Sequence, residues 1–248
     1  MGLRRTFLRN LTARPALRNV ARALTPWRDR SDVYEFSGRR WFWPQDPHFL
    51  AARERVNDDI PGIPLPRCYG LQSAIRSVAD VNGDVAECGV RFARSTVSLK
   101  LADPREREYF LFDSWEGLAE PTAEDRTNQV KEWHAGDIKS DEAQARANLS
   151  QWSGIHFMRG WIPERFPEVA DRKFAFVHVD VDLYEATRDT LNFFADRLSP
   201  GAVMLCDDYG SLKCPGARKA CDEFVAQRGA KLFESMTGQA LIFDVPPA

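Results

Sequence analysis

The 248-residue sequence has no run approaching the roughly 20 apolar residues that a membrane-spanning helix needs. It has no C-x-x-C pair. Its five cysteines (Cys68, Cys88, Cys206, Cys214 and Cys221) are scattered and odd in number, which argues against a disulfide framework or a zinc knuckle. Cys88 and Cys206 sit in apolar runs, where free cysteine acts as a small hydrophobe, so a reducing cytoplasm is the simplest expectation. Charge of one sign is lacking: 34 basic against 36 acidic residues leave a net −2, and no nucleic-acid partner is expected. G-x-G-x-x-G and a P-loop are both missing, which speaks against a cradle for pyrophosphate or triphosphate. There is no internal repeat and no low-complexity tract. What remains, 44% hydrophobic and 28% charged residues, is the composition of one large globular domain or two small ones.

Residues 1–30 stand apart, with Arg4, Arg5, Arg9, Arg14, Arg18, Arg22, Arg28 and Arg30 against one acid, Asp29. No continuous apolar core makes this segment a secretory signal. The arginines alternate with Leu3, Phe7, Leu8, Leu11, Leu17, Val20 and Leu24 at roughly helical intervals. A basic amphipathic helix on an acidic membrane or partner surface is one reading, and a solvated arm is the other. Gly2 and Thr6 formally match a myristoylation pattern that common residues also satisfy by chance. The arm and a helical extension are assigned to residues 1–60 and the main domain to 61–248; self-association is expected.

From residue 67 onward, strand-like runs alternate with helical periodicity. Leu71, Ile75 and Val78 mark a helix closed by Asn82-Gly83. The run 85–90 reads as a first strand, followed by a helix from about Ser95, then 109–112 ending at Asp113. Strands are also expected at 155–158, 174–179 and 202–206, with a helix marked by Tyr184, Thr187, Leu191, Phe194 and Leu198. Pro215 opens a last helix and Gly229 closes it. Runs 231–236 and 240–245 surround Thr237-Gly238 as an antiparallel pair. This alternation predicts an α/β fold, a mostly parallel sheet with helices on both faces. Residues 115–154, about 40 between strands two and three, are too many for a structureless loop. A helix over 141–152 is expected there, and Trp115, Trp133, His134 and Trp152 suggest either a lid over the site or simple packing.

Ligands of an open parallel sheet bind beyond the carboxyl ends of its strands, and those ends are acidic here. Glu87 lies near strand one, Asp113 after strand two, Asp180 and Asp182 after strand four, and Asp207-Asp208 after strand five. One such acid is usually a helix cap; six would repel one another without cations or hydroxyl-rich ligands between them. Glu87, Gly89 and Asp113 suit an adenosine-containing cofactor, with Asp113 where ribose hydroxyls are commonly bound. Asp180, Asp207 and Asp208 offer oxygen ligands of the kind magnesium prefers.

Glu87-Cys88-Gly89-Val90 and the segment 111–118 (LFDSWEGL) resemble the macrocin O-methyltransferase family of sugar methyltransferases. So do 160–164 (GWIPE), 179–187 (VDVDLYEAT) and 207–210 (DDYG). The similarity spans about residues 67–245 in the right order. It implies a class I S-adenosylmethionine (SAM) methyltransferase fold, Rossmann-like, with magnesium-dependent methylation of a sugar hydroxyl. It also implies cofactor contacts from Ser114, Gly160 and Trp161. The family's turn after Gly89 usually continues with glycine, whereas this chain reads Arg91-Phe92-Ala93-Arg94, and Val181 replaces a glycine between the paired aspartates.

In this reading Mg2+ would be chelated by neighbouring hydroxyls of a sugar or glycoside acceptor, and Asp180 or Asp182 would take the proton. His178, two residues before Asp180, shares its strand face and is either a second base or a satisfied core histidine. The competing readings are a metal-dependent glycosyltransferase built on Asp180-x-Asp182, which leaves Glu87 and Asp113 without a role, and a non-catalytic SAM- or nucleotide-binding module.

Overall fold

The computed structural model describes residues 46–56 and 60–247, and the readings for residues 1–30 lie outside them. Helices α1 (Pro47–Val56) and α2 (Leu65–Ser77) precede β1 (Asp84–Cys88), α3 (Arg94–Ala102) and β2 (Tyr109–Asp113). Then come α4 (Glu142–Leu149), β3 (Ile155–Arg159), β4 (Phe174–Val179), α5 (Tyr184–Ala195), β5 (Leu198–Cys206), α6 (Pro215–Arg228), β6 (Lys231–Glu234) and β7 (Ala240–Phe243). Among the described residues no helix is long and apolar enough to cross a membrane.

The strands form one sheet in the order β3-β2-β1-β4-β5-β7-β6. The first five are parallel, while β7 runs antiparallel to both β5 and β6. Alternation along each strand feeds two cores. Phe110 and Phe112 enter one with Phe166, Phe174 and Phe194; Tyr109 and Leu111 enter the other with Leu71 and Ile75. Helix α5 buries Thr187, Thr190, Leu191 and Phe194 on one stripe. The Phe194 ring meets Phe174 edge-on at 4.9 Å, an arrangement that suits the ring quadrupoles.

Element boundaries follow their local chemistry. Pro215 opens α6, and Gly229 closes it at φ 68°, as the sequence predicts. Leu198, read as the end of a helix, instead begins β5. The chain leaves α5 after Ala195, and the Arg197 amide closes the last turn on the Phe194 carbonyl. The helix expected over 141–152 spans Glu142–Leu149, with the Asp141 side chain accepting from the Ala143 amide as its cap. The helix before β1 ends at Ser77, before the Asn82-Gly83 turn.

Candidate active site

A cavity of about 480 Å³ opens beyond the carboxyl ends of β1, β2 and β4, within the usual range for small-molecule sites. Gly89 makes the junction of β1 and β4 possible. Its φ is +87°, and a Cβ there would stand 1.8 Å from the Asp180 carbonyl oxygen. The following turn carries two non-glycine residues in the left-handed region, Arg91 at φ 53° and Ala93 at φ 63°. Such conformations persist only when neighbours hold them. Asp113 does the holding: one oxygen accepts the Val90 and Arg91 amides, both at 2.8 Å, and the other accepts the Trp115 amide at 2.7 Å. Three of about four lone-pair positions are thereby used, so Asp113 braces the turn and has little capacity left for a ribose hydroxyl.

Ser114, Gly160 and Trp161 line the same cavity. The Ser114 hydroxyl serves its own turn, accepting from the Glu116 amide and donating to the Gly117 carbonyl. The Gly160 amide ties to the Asp113 carbonyl at 3.0 Å, and Trp161 stands 39% exposed at the rim. Glu87 is the exception. Expected at the cofactor, it is 0% exposed and absent from the cavity wall. Its carboxylate accepts from the Thr96 hydroxyl and lies 3.0 Å from His178 Nδ1. The sheet register sets this, because Glu87 pairs with His178 across β1 and β4. His178 is likewise 0% exposed, which removes it as a candidate base. Burial pushes its imidazole down, but Asp207 and Glu87 on either side outweigh that and hold its pKa well above the usual value.

The acids of β4 and β5 do converge. Asp180, Asp207 and Asp208 offer carboxylate oxygens within 4.8 Å of one another. The consecutive Asp207 and Asp208 reach one point because β5 ends at Cys206 and the chain bends beyond it. Burial, then the charges of Asp207 and Asp208, push Asp180 well above the carboxylate range; burial, then Asp182 and Asp207, do the same to Asp208. Asp207 goes the other way. Burial would raise it, but His178, Arg67 and Gln239 together hold it below the usual value. Arg67 Nη1 and Gln239 Nε2 each donate to one of its oxygens at 2.7 Å. Asp180, Asp182 and Asp207 line the cavity, while Asp208 lies behind them, accepting the Asp182 amide at 3.1 Å. Asp182 has a left-handed φ of 60°, and burial raises its pKa to about 6. Oxygen donors crowded this closely suit a hard divalent cation.

The insertion at 115–154 supplies both kinds of tryptophan. Trp115 is 2% exposed and donates Nε1 to the Arg91 carbonyl, and Trp152 packs against the core. Trp133 lines the cavity and donates to Cys214 Sγ, whose thiol in turn donates to Asp182. His134 is exposed beside Asp137. The wall is anchored by Asp125, which accepts the Thr122 amide and hydroxyl and the Tyr184 amide at the start of α5. Any side chain at Gly216 would collide with it, its Cβ coming 2.0 Å from Asp125 Oδ1. Asp125→Ala should cost about 1–2 kcal/mol, the scale of a lost helix cap, read as a lower urea midpoint. An unchanged midpoint would mean that the wall is held elsewhere. Arg67, Gln239 and Asp125 were not singled out by the sequence, because no local pattern marks residues whose partners lie far along the chain.

Residues 55–237 match the family model described as "Macrocin-O-methyltransferase (TylF)". The chain is 30% identical to the mycinamicin III 3''-O-methyltransferase of Micromonospora griseorubida, covering 75% of this chain and 74% of that protein. It is 29% identical to the 8-demethyl-8-(2,3-dimethoxy-alpha-L-rhamnosyl)-tetracenomycin-C 4'-O-methyltransferase of Streptomyces olivaceus, covering 71% and 67%. Among solved structures, the O-methyltransferase NovP superposes with a TM-score of 0.63 at 25% identity, covering 74% of this chain and 81% of that one. These matches set aside the glycosyltransferase and the non-catalytic module. The chain belongs to the macrocin O-methyltransferase family and is an S-adenosylmethionine-dependent O-methyltransferase.

Proposed function

We propose that this protein methylates a hydroxyl of a sugar carried by a natural product or glycan, with Mg2+ held by Asp180, Asp207 and Asp208. The observation that carries the proposal is the acidic cluster beyond β4 and β5, on the same cavity as the turn braced by Asp113. Like charges pressed together need a cation, and a sugar offers neighbouring hydroxyls to share it. The rhamnosyl group in the name of the Streptomyces olivaceus relative agrees with a glycosyl acceptor. When bound, the metal supplies positive charge that makes an acceptor hydroxyl more acidic, and SAM supplies the methyl group.

The chain's own residues do the rest. Asp182, shaped by the Cys214 thiol and the Asp208 carboxylate, takes the hydroxyl proton, with Asp180 the alternative base. Trp133 and the Asp125 anchor wall off solvent and fix the acceptor's approach, since alignment of oxygen and methyl supplies much of the rate. Gly89, Ser114, Gly160 and Trp161 line the nucleoside end, where Asp113 keeps the turn in shape. Losing Asp113 should therefore loosen the cofactor: Asp113→Ala should weaken SAM binding by about 1–3 kcal/mol, the scale of bonds to a charged group. Calorimetry checks this, and an unchanged affinity would contradict the assignment.

The acceptor class is tested with a glycoside bearing two adjacent hydroxyls and its analogue lacking the non-methylated one. Mg2+ should tighten binding of the first and leave the second unaffected. Equal enhancement of both would overturn the chelated-diol reading.

A further inference from the structure

Three arginines line the cavity: Arg67, Arg91 and Arg94. Arg67 is matched by Asp207 at 2.7 Å. Arg91 also has a buried Nε without an acceptor, but its guanidinium lies over the Phe92 ring at 5.3 Å and its charge acts on Asp182. Arg94 has no carboxylate within ion-pair distance among the described residues. Among the described residues its Nη1 donates to the Ile60 carbonyl at 2.8 Å, the Cys68 thiol is its other neighbour of note, and its Nε is shut off from water without an acceptor. A guanidinium carries five N–H donors, so a charge and most of its donors are unmatched at a cavity wall. The side chain is also held in place. A Cβ at Gly62 would come within 3.0 Å of Arg94 Cβ and 3.2 Å of its Cδ, so the 60–62 segment lies directly on it.

We propose that Arg94 binds the α-carboxylate of S-adenosylmethionine, giving the cofactor a charged anchor where sequences resembling this one continue the turn with glycine. The inference rests on the cofactor orientation proposed above. With the nucleoside at Ser114, Gly160 and Trp161, beside the turn that Asp113 braces, and the methyl toward Asp180 and Asp182, the amino-acid end meets the remaining wall. That wall is formed by Pro61 to Pro64, Arg94 and Ser95. A carboxylate is repelled by the acidic cluster and attracted by Arg94, whose planar fork matches it in two hydrogen bonds. Pre-positioning by the 60–62 segment reduces the side-chain entropy lost on binding.

Calorimetry with S-adenosylhomocysteine and with its analogue lacking the α-carboxylate tests this on the full chain. The wild type should prefer the carboxylate-bearing ligand by about 10- to 100-fold, the range of charge-assisted hydrogen bonds. Arg94→Gln should lose that preference and bind both ligands about as weakly as the wild type binds the analogue. Arg94→Lys, which keeps the charge without the fork, should retain only part of it and stands in if the glutamine variant does not fold. A full preference in either variant would overturn the assignment. If the wild type bound neither ligand, the cofactor reading itself would fall, an outcome distinct from failure of Arg94.

Discussion

Asparagine in place of Asp180 or Asp208 should reduce methyl transfer on the order of 10²- to 10³-fold, the effect of removing one strong electrostatic stabiliser, while SAM affinity changes little. The reason is the division of labour proposed for the cavity: the turn that Asp113 braces would face the cofactor, and the acid cluster of β4 and β5 would face the metal and acceptor. Stability should separate these two variants from Asp207→Asn. Asp180 and Asp208 repel their neighbours, so neutralising either should leave the metal-free fold as stable as wild type or more so. Asp207 is 0% exposed and binds Arg67 and Gln239. Its replacement leaves Arg67 without its anion and should lower stability along with activity. Thermal melts without divalent ions, and again with Mg2+, read both effects. Wild type should gain stability from Mg2+ by mass action, and each asparagine variant should gain less. Equal gains would remove these residues as ligands.

The largest effect on stability belongs to Glu87. Glu87→Ala should cost about 3–5 kcal/mol, because it breaks a fully buried charged contact and leaves His178 and Thr96 around a void. A urea titration should show the loss as a lower midpoint with unchanged slope. Glu87→Gln keeps the volume and an acceptor for Thr96, and should recover much of the stability. Its SAM affinity should stay within a few-fold of wild type wherever it is folded, since Glu87 does not line the cavity. An alanine variant as stable as wild type would mean that the buried Glu87–His178 pair carries no weight.

Glu87 also shows where sequence reading stops. An acid before a glycine at the end of β1 looks the same whether it faces the cofactor or the neighbouring strand. Only the register of β1 against β4, which sets Glu87 opposite His178, decides between them. The positions of the strands along the chain, the antiparallel last pair and the acids at the strand ends were legible, because hydrophobic alternation and turn residues are local signals. Two consecutive strand residues point to opposite faces, so Asp207 and Asp208 can share a ligand only because β5 ends at Cys206 and the chain bends beyond it. Arg67 and Gln239 were not legible, lying 140 and 32 residues from the Asp207 that they hold. Trp133 was noticed as an aromatic of the insertion, but its link through Cys214, 81 residues away, to Asp182 needed the fold. Arg94 was visible as a departure from a glycine pattern, without any hint that its charge lacks a partner.

Methyl-labelled SAM with a panel of glycosides bearing adjacent hydroxyls reads out metal-assisted methyl transfer to a sugar hydroxyl. The product should be one methyl heavier, with the label on a sugar oxygen, and its formation should stop in excess chelator and return on adding Mg2+. Label transfer at full rate in chelator, or to an atom outside the sugar, would contradict the account.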